Sequence, residues 1–390
     1  MKVAFLIERF DPARGGMETS AKEFLSEVVP LDVEAHVVTQ SAGGDFPFLK
    51  VHALGAGGLG RAGRYRHFVE TAQSFVATGK WDVVHAITPC VGCDLYQPRA
   101  GVEKEAMARM VAARKNPLAK MFRQFGDRLN AKKQFMARLE RELLTGQQLP
   151  MVAALSSYMR RQLEAAYAIP PERMREVFNG VTLPLPDEAE RTAIRERLRR
   201  ELDLATNERV VLFAGHNFRR KGLERLLDAL ALPEAHGWRL IVAGKDSRGP
   251  YERHTTRLGL SERVKFLGAR KDIKQLYLAA DACALPTYYD PCSRVILEAL
   301  SVGVPSITTR CDGSADAIRN EETGFVVSPP DAPDSAKEIA RALSQMAAPG
   351  ILERMSQQAL ALRPRLSMRR HAEEVARIYE EICRSKKTAT

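Results

Sequence analysis

Short apolar runs, most of them closed by glycine or a loop, alternate along this chain with stretches whose apolar residues recur every three or four positions. A continuous apolar run reads as a strand buried on both faces, and the three-to-four spacing reads as an amphipathic helix. In the first half the runs Val3–Ile7, Val33–Thr39, Leu49–Ala53, Val83–Ile87, Met151–Leu155 and Met174–Phe178 predict strands. In the second half the same pattern falls on Val210–Ala214, Leu240–Ala243, Val264–Leu267, Ala282–Leu285, Ser306–Thr309 and Gly324–Val327. Helices are predicted from near Met17, up to about Thr78, over Ser157–Tyr167, and from Asp334 onward, ending with Met368–Arg384. Strand alternating with helix predicts an α/β, doubly wound parallel sheet. The proline-rich, aperiodic segment 181–187 separates a domain at 1–180 from one at 181–365.

Ligands of such sheets bind beyond the carboxyl ends of the strands, so the loops after the strands carry the candidate chemistry. The richest is 288–305, YYDPCSRVILEALSVGVP. Pro291 holds its start as a loop, Ser293 opens a helix, and Gly303 closes it. Asp290 stands at the helix mouth and Glu298 sits inside an otherwise apolar run. The N–H groups after Pro291, on Ser293, Arg294 and Val295, suit a diphosphate, and Glu298 suits ribose hydroxyls. The alternative is a capping Asp290 and a half-exposed Glu298. Arg220-Lys221-Gly222 lies between the Val210–Ala214 strand and a periodic helix, where two cations fit a diphosphate or form a surface basic pair. Gly15-Gly16, after the first strand, lets the backbone turn sharply and approach a ligand. It is not a G-x-G-x-x-G fingerprint. His85 and Asp94 fall at or just past the end of Val83–Ile87 and are candidates for contacting a sugar; His85 equally fits as a strand histidine.

The 390 residues allow two domains, and the formal net charge of +11 implies an acidic partner. Residues 104–141 hold eleven basic residues (Lys104, Arg109, Arg114, Lys115, Lys120, Arg123, Arg128, Lys132, Lys133, Arg138 and Arg141) against three acidic ones, leaving +8. Leu118, Met121, Phe122, Phe125 and Leu129 recur through it at helical spacing. The segment reads as a solvated basic helix or as one lying on anionic lipid. Nucleic acid is disfavoured, because no helix-turn-helix, zinc finger or aromatic platform accompanies the charge. Six cysteines do not form a disulfide framework, and Cys90-x-x-Cys93 has no second pair at zinc spacing. No apolar run approaches a spanning helix. No D-x-D triplet supports a metal.

Asp290, seven intervening residues and Glu298 resemble the E-x7-E motif of the GT-B retaining glycosyltransferases of family 4, with Asp in place of the first Glu. The F-x-x-K-G of Phe218–Gly222 and the Gly15-Gly16-Met17-Glu18 segment resemble two more of the family's motifs. The resemblance implies the GT-B fold, with two Rossmann-like domains facing a central cleft and residues 366–390 packing back on the first. It implies a nucleotide-sugar donor, a UDP-hexose, as substrate, with no cofactor and no metal. Arg220 and Lys221 would hold the leaving diphosphate, Asp290 orient the transferred sugar, Glu298 bind the ribose and backbone near Arg270 the base. Gly15 and Gly16 would face the donor phosphates and the acceptor. The Gly92–Tyr96 segment, GCDLY, followed by a basic stretch, is similar to the corresponding part of the family's lipopolysaccharide-core glucosyltransferases, where the aspartate faces the acceptor and the basic segment contacts membrane. By that resemblance Asp94 is an acceptor-side residue, the acceptor is a glycolipid or lipopolysaccharide core, and the enzyme is cytoplasmic and peripheral on the inner membrane face. A GT-B nucleotide-sugar epimerase and a non-catalytic membrane-associated binding protein are the competing readings.

Overall fold

Parallel strands buried on both faces place their neighbours by crossover, and the order of those crossovers decides where a ligand can enter. The computed structural model describes residues 1–114 and 116–389, in two units: residues 1–181 with 367–390, and residues 182–366. In the first unit β1 (Lys2–Leu6), β2 (Glu34–Thr39), β3 (Lys50–Ala53), β4 (Val83–Ala86), β5 (Leu95–Tyr96), β6 (Met151–Ala154) and β7 (Met174–Glu176) form one parallel sheet. Its order is β3-β2-β1-β4-β5-β6-β7. The direction of winding reverses between β1 and β4, whose register pairs Val3 with Val83. Phe5, Phe24, Leu25 and Val28 pack with Met368, Ala372, Val375, Tyr379 and Ile382 of the Met368–Ala389 helix. Their alternating spacing of four and three makes one apolar stripe along that helix. Where the chain leaves and re-enters this unit, Val181 and Ser367 form a parallel bridge, and Met368 N donates to Val181 O at 3.1 Å.

The basic segment is three helices rather than one: Glu103–Ala112, Pro117–Leu129 and Ala131–Thr145. Asn116 and Asn130 break it, each side chain accepting from a backbone N–H of the helix that follows (Leu118 and Lys133). Leu118, Met121, Phe122, Phe125 and Leu129 are all exposed, by 54% to 69%. The cations do not all share that surface. Lys132 is tied to both carboxylate oxygens of Glu8 at 2.7 Å, and Arg123 and Lys133 flank Asp127 at 3.0 Å. Lys120, Arg128, Arg138 and Arg141 are exposed, and Lys115 lies outside the described residues. The third helix is pinned to the sheet by buried Glu140, which accepts from the Tyr96 and Tyr167 hydroxyls at 3.0 and 2.7 Å.

In the second unit β8 (Arg209–Ala214), β9 (Trp238–Ala243), β10 (Val264–Gly268), β11 (Ala282–Leu285), β12 (Ser306–Thr309) and β13 (Gly324–Val327) are again all parallel, in the order β10-β9-β8-β11-β12-β13. The reversal here falls between β8 and β11. The Glu188–Glu201 helix has only a thin apolar stripe; it docks through fully buried Leu198 together with Arg195 and Arg199, which both reach Asp281 just before β11.

Candidate active site

Three loops leave the carboxyl ends of neighbouring strands in the second unit: after β8, β11 and β12. The first is brought against the second by Gly222. Its φ is +76°, and a Cβ there would lie 1.8 Å from the Pro286 carbonyl oxygen, so only glycine fits. The Arg220 carbonyl accepts from Tyr288 N at 2.8 Å and the Thr287 hydroxyl at 2.9 Å, fastening the same two loops. Lys221 is thereby buried, and its ammonium pairs with Asp290 Oδ2 across the β8/β11 reversal. Asp290 Oδ1 accepts from Cys292 N at 3.2 Å.

The third loop brings in Asp312, which the sequence marks as a turn residue and not as part of a site. Asp312 is fully buried; its Oδ1 accepts from Ser293 N at 3.0 Å and Ser314 N at 2.9 Å, and its Oδ2 from the Thr308 hydroxyl at 2.8 Å. Asp290 N donates to Cys311 O and Gly313 N to Asp290 O, both at 3.0 Å, so the two acidic loops continue the β11–β12 pairing. Burial first, and the neighbouring Asp290 second, push the Asp312 carboxyl up to about 6, against the pull of Lys221 and the backbone donors. In the sequence Asp312-Gly313, separated by two residues from the Ser306–Thr309 run, marks only a turn.

These contacts correct one expectation. Two N–H groups after Pro291, on Cys292 and Ser293, are taken by Asp290 and Asp312, so the helix mouth does not offer them to an anion. The Ser293 hydroxyl stays unpartnered, as does the buried Arg220 Nε. The helix runs Arg294–Ser301, with Val295 half-buried on its first turn. Glu298 is buried rather than half-exposed: Tyr277 donates to its Oε2 at 2.8 Å and Arg294 to its Oε1 at 2.9 Å. Tyr277 was not foreseen either, being one more apolar position of the periodic Ile273–Ala279 helix. Arg270, after β10, spends its side chain on Asp272 and Glu201 and so stiffens its loop.

In the first unit Gly15 is extended, with φ of 176°, and Gly16 begins the Gly16–Val28 helix. Neither makes the sharp turn expected of them, and a Cβ on Gly15 would touch only Glu18 Oε2, at 3.4 Å. Asp94 is not at a carboxyl end. The chain doubles back after β4, and Asp94 precedes β5 near the amino end, accepting from Val84 N at 2.7 Å and from Lys386 at 2.7 Å. His85 is a core residue, wholly buried, with Nδ1 2.6 Å from the Tyr379 hydroxyl and its pKa pushed well down by burial. Among the described residues no cluster of three or more His, Cys, Asp or Glu is placed to hold a metal, and no helix is long and apolar enough to cross a membrane.

Doubly wound sheets with polar loops at their reversal points are nucleotide-binding architecture, and a chain of two such units matches solved structures of the GT-B fold. Two solved structures share that fold across nearly their whole length. One is WaaG, a glycosyltransferase involved in lipopolysaccharide biosynthesis (TM-score 0.78, 24% identity, 97% of this chain and 99% of that one). The other is Anabaena Alr3699/HepE in complex with UDP-glucose (TM-score 0.67, 22% identity, 98% and 100%). By sequence the chain is 28% identical over 356 residues to the lipopolysaccharide glucosyltransferase WaaG of Escherichia coli, 88% of this chain and 90% of the relative. Residues 14–184 match Glycosyltransferase Family 4 and residues 194–360 match Glycosyl transferases group 1. The chain belongs to the family 4 glycosyltransferases and is an enzyme of that class.

Proposed function

We propose that the enzyme transfers a hexose, with retention, from a UDP-sugar to a glycolipid acceptor of the lipopolysaccharide-core kind at an anionic membrane surface. The observation that carries the donor half is the buried Lys221–Asp290 pair at the strand-order reversal. A cation, the unpartnered Arg220 Nε and the unpartnered Ser293 hydroxyl are donors for charge that develops on a departing diphosphate. Glu298, oriented by Tyr277 and Arg294, accepts the ribose hydroxyls on its remaining lone pairs. In the transfer step the bond from the anomeric carbon to the diphosphate oxygen breaks, the bond to the acceptor oxygen forms on the same face, and the diphosphate oxygen takes the acceptor proton. Asp290 orients the sugar. The UDP-glucose bound by the Anabaena protein and the activity named for the E. coli relative support the choice of donor and acceptor class.

The membrane half rests on the exposed Leu118, Met121, Phe122, Phe125 and Leu129 face with Lys120 and Arg128 beside it. Each cation near an anionic surface contributes about 1 kcal/mol, and buried apolar area adds to it. The deciding assay is UDP release from UDP-glucose with and without core glycolipid in anionic vesicles. Release that requires the glycolipid is the expected result. Conversion of free UDP-glucose to another UDP-sugar, with no transfer, would replace this reading with the epimerase one.

A further inference from the structure

Lys221 serves two buried carboxylates in the free protein. It is the cation at Asp290, and Asp312, fully buried, stands on the adjoining strand end with three neutral hydrogen-bond partners. The charged groups facing Asp312 from the surrounding loops are Asp290 and Lys221. If a diphosphate also draws on Lys221, two buried carboxylates share what is left of one positive charge, which low-dielectric surroundings penalise. One of them must take a proton or the anion binds weakly.

The hydrogen-bond geometry names which. Thr308 Oγ1 lies 2.8 Å from Asp312 Oδ2 and 3.0 Å from Leu285 O, yet it has a single proton to donate. A protonated Asp312 resolves this: its Oδ2–H donates to Thr308 Oγ1, and the threonine proton goes to Leu285 O. Oδ1 keeps both backbone donors in either state. Asp290 has no such outlet, since its Oδ2 is turned to the lysine and its Oδ1 to Cys292 N. Burial already holds the Asp312 carboxyl near neutrality, so a modest change of field suffices.

We propose that Asp312 is a proton-accepting positioning residue, which takes up one proton from solvent as a donor diphosphate engages Lys221 and keeps the Asp290 loop in place while the lysine's charge is shared. The proposal rests on the donor assignment made above. It makes donor affinity depend on pH through a residue that never touches the donor. Above the free carboxyl's pKa, affinity should fall by up to tenfold per pH unit, the limit for one linked proton.

Calorimetry of UDP-glucose binding at pH 7 in buffers of different ionisation enthalpy reads the uptake directly. UDP-glucose is chosen because its diphosphate is esterified at both ends and does not itself titrate there. Uptake approaching one proton is expected for the native enzyme and none for Asp312→Asn, which keeps Oδ1 as acceptor and can donate to Thr308. A purely structural Asp312 would cost stability on substitution but leave the native enzyme without uptake. Binding with no uptake, or uptake unchanged in Asp312→Asn, overturns the proposal alone. Absence of UDP-glucose binding by the native enzyme overturns the donor assignment together with it. Should Asp312→Asn fail to fold, the native pH profile decides: affinity constant between pH 6 and 8 defeats the idea, and a decline supports it.

Discussion

Lys221 and Asp290 are 69 positions apart in the chain and meet as one buried ion pair where the strand order of the second sheet reverses. Such a pair repays the desolvation of its two charges poorly, and an apolar or neutral pair of the same shape would often be as stable. Its position over the ligand-binding edge of the sheet accounts for its presence better than stability does.

Lys221→Ala is expected to lower kcat roughly a hundredfold or more, the usual loss for one charge-stabilising donor. It should also destabilise the fold by about 3–5 kcal/mol, since Asp290 is left buried without its cation. Lys221→Met combined with Asp290→Asn should regain most of the stability and none of the turnover. Urea unfolding and UDP release on the same preparations separate the two effects; recovered turnover in the double variant would remove Lys221 from the chemistry.

Glu298→Gln should weaken UDP binding about tenfold or more, since a hydrogen bond to a charged acceptor contributes about 1.5–3 kcal/mol. Tyr277→Phe, which removes one of the two groups orienting that carboxylate, should weaken it less. Titration calorimetry with UDP checks both, and wild-type affinity in Glu298→Gln would rule out the ribose contact.

Gly222→Ala tests the close approach of the first two loops. A left-handed alanine alone costs about 1–2 kcal/mol, and its Cβ would collide with the Pro286 carbonyl. The expected outcome is a loss of at least about 2 kcal/mol in urea unfolding together with weakened donor binding. Stability equal to wild type would mean the loops can separate at no cost.

Phe122→Ser with Phe125→Ser should release the enzyme from anionic vesicles while leaving UDP affinity unchanged, as should Lys120→Glu with Arg128→Glu. Lys132 and Lys133 are unsuitable for that test, because reversing them would break the contacts to Glu8 and Asp127 inside the first unit. Flotation decides: equal recovery of wild type and both variants with the vesicles would show that this face does not dock.

Asp312 also gives stability a pH dependence whose sign is fixed. Its folded pKa, about 6, is above the ordinary 3.8, so its contribution is fully present below pH 4 and is lost as pH rises through 6. Thermal unfolding of the native enzyme should therefore fall between pH 5 and 7 relative to Asp312→Asn. Parallel profiles would mean that Asp312 is ionised throughout.

Strands buried on both faces were legible because nothing polar interrupts them; Val210–Ala214 and Ala282–Leu285 are examples. Two-residue β5 was not, and that hid the return of the chain after β4 and put Asp94 at the wrong end of the sheet. The Glu188–Glu201 helix is hard to read because its apolar stripe is reduced to Ile194 and Leu198 among many charges, and Arg195 and Arg199 add ionic docking to the burial of Leu198. Lys221, Asp290 and Glu298 could be picked out by their oddity: charges within or beside apolar runs. Asp312 and Tyr277 could not, because their importance lies in which carboxylates and N–H groups they meet, and those partners come from other loops.

The Val181–Ser367 bridge has a consequence for how the protein is made. The first unit's core needs Val375, Tyr379 and Ile382, which are the last of its parts to leave the ribosome. The intervening unit has by then been synthesised whole. Its folding can finish while the older unit is still waiting for its closing helix, which inverts the usual order in which a chain folds from its N-terminus. A chain ended after residue 366 and released from the ribosome should accordingly carry a protease-resistant second unit after a protease-sensitive first one. The exposed β1 face of that waiting unit, apolar and unpaired with its helix, is the surface a chaperone would have to shield.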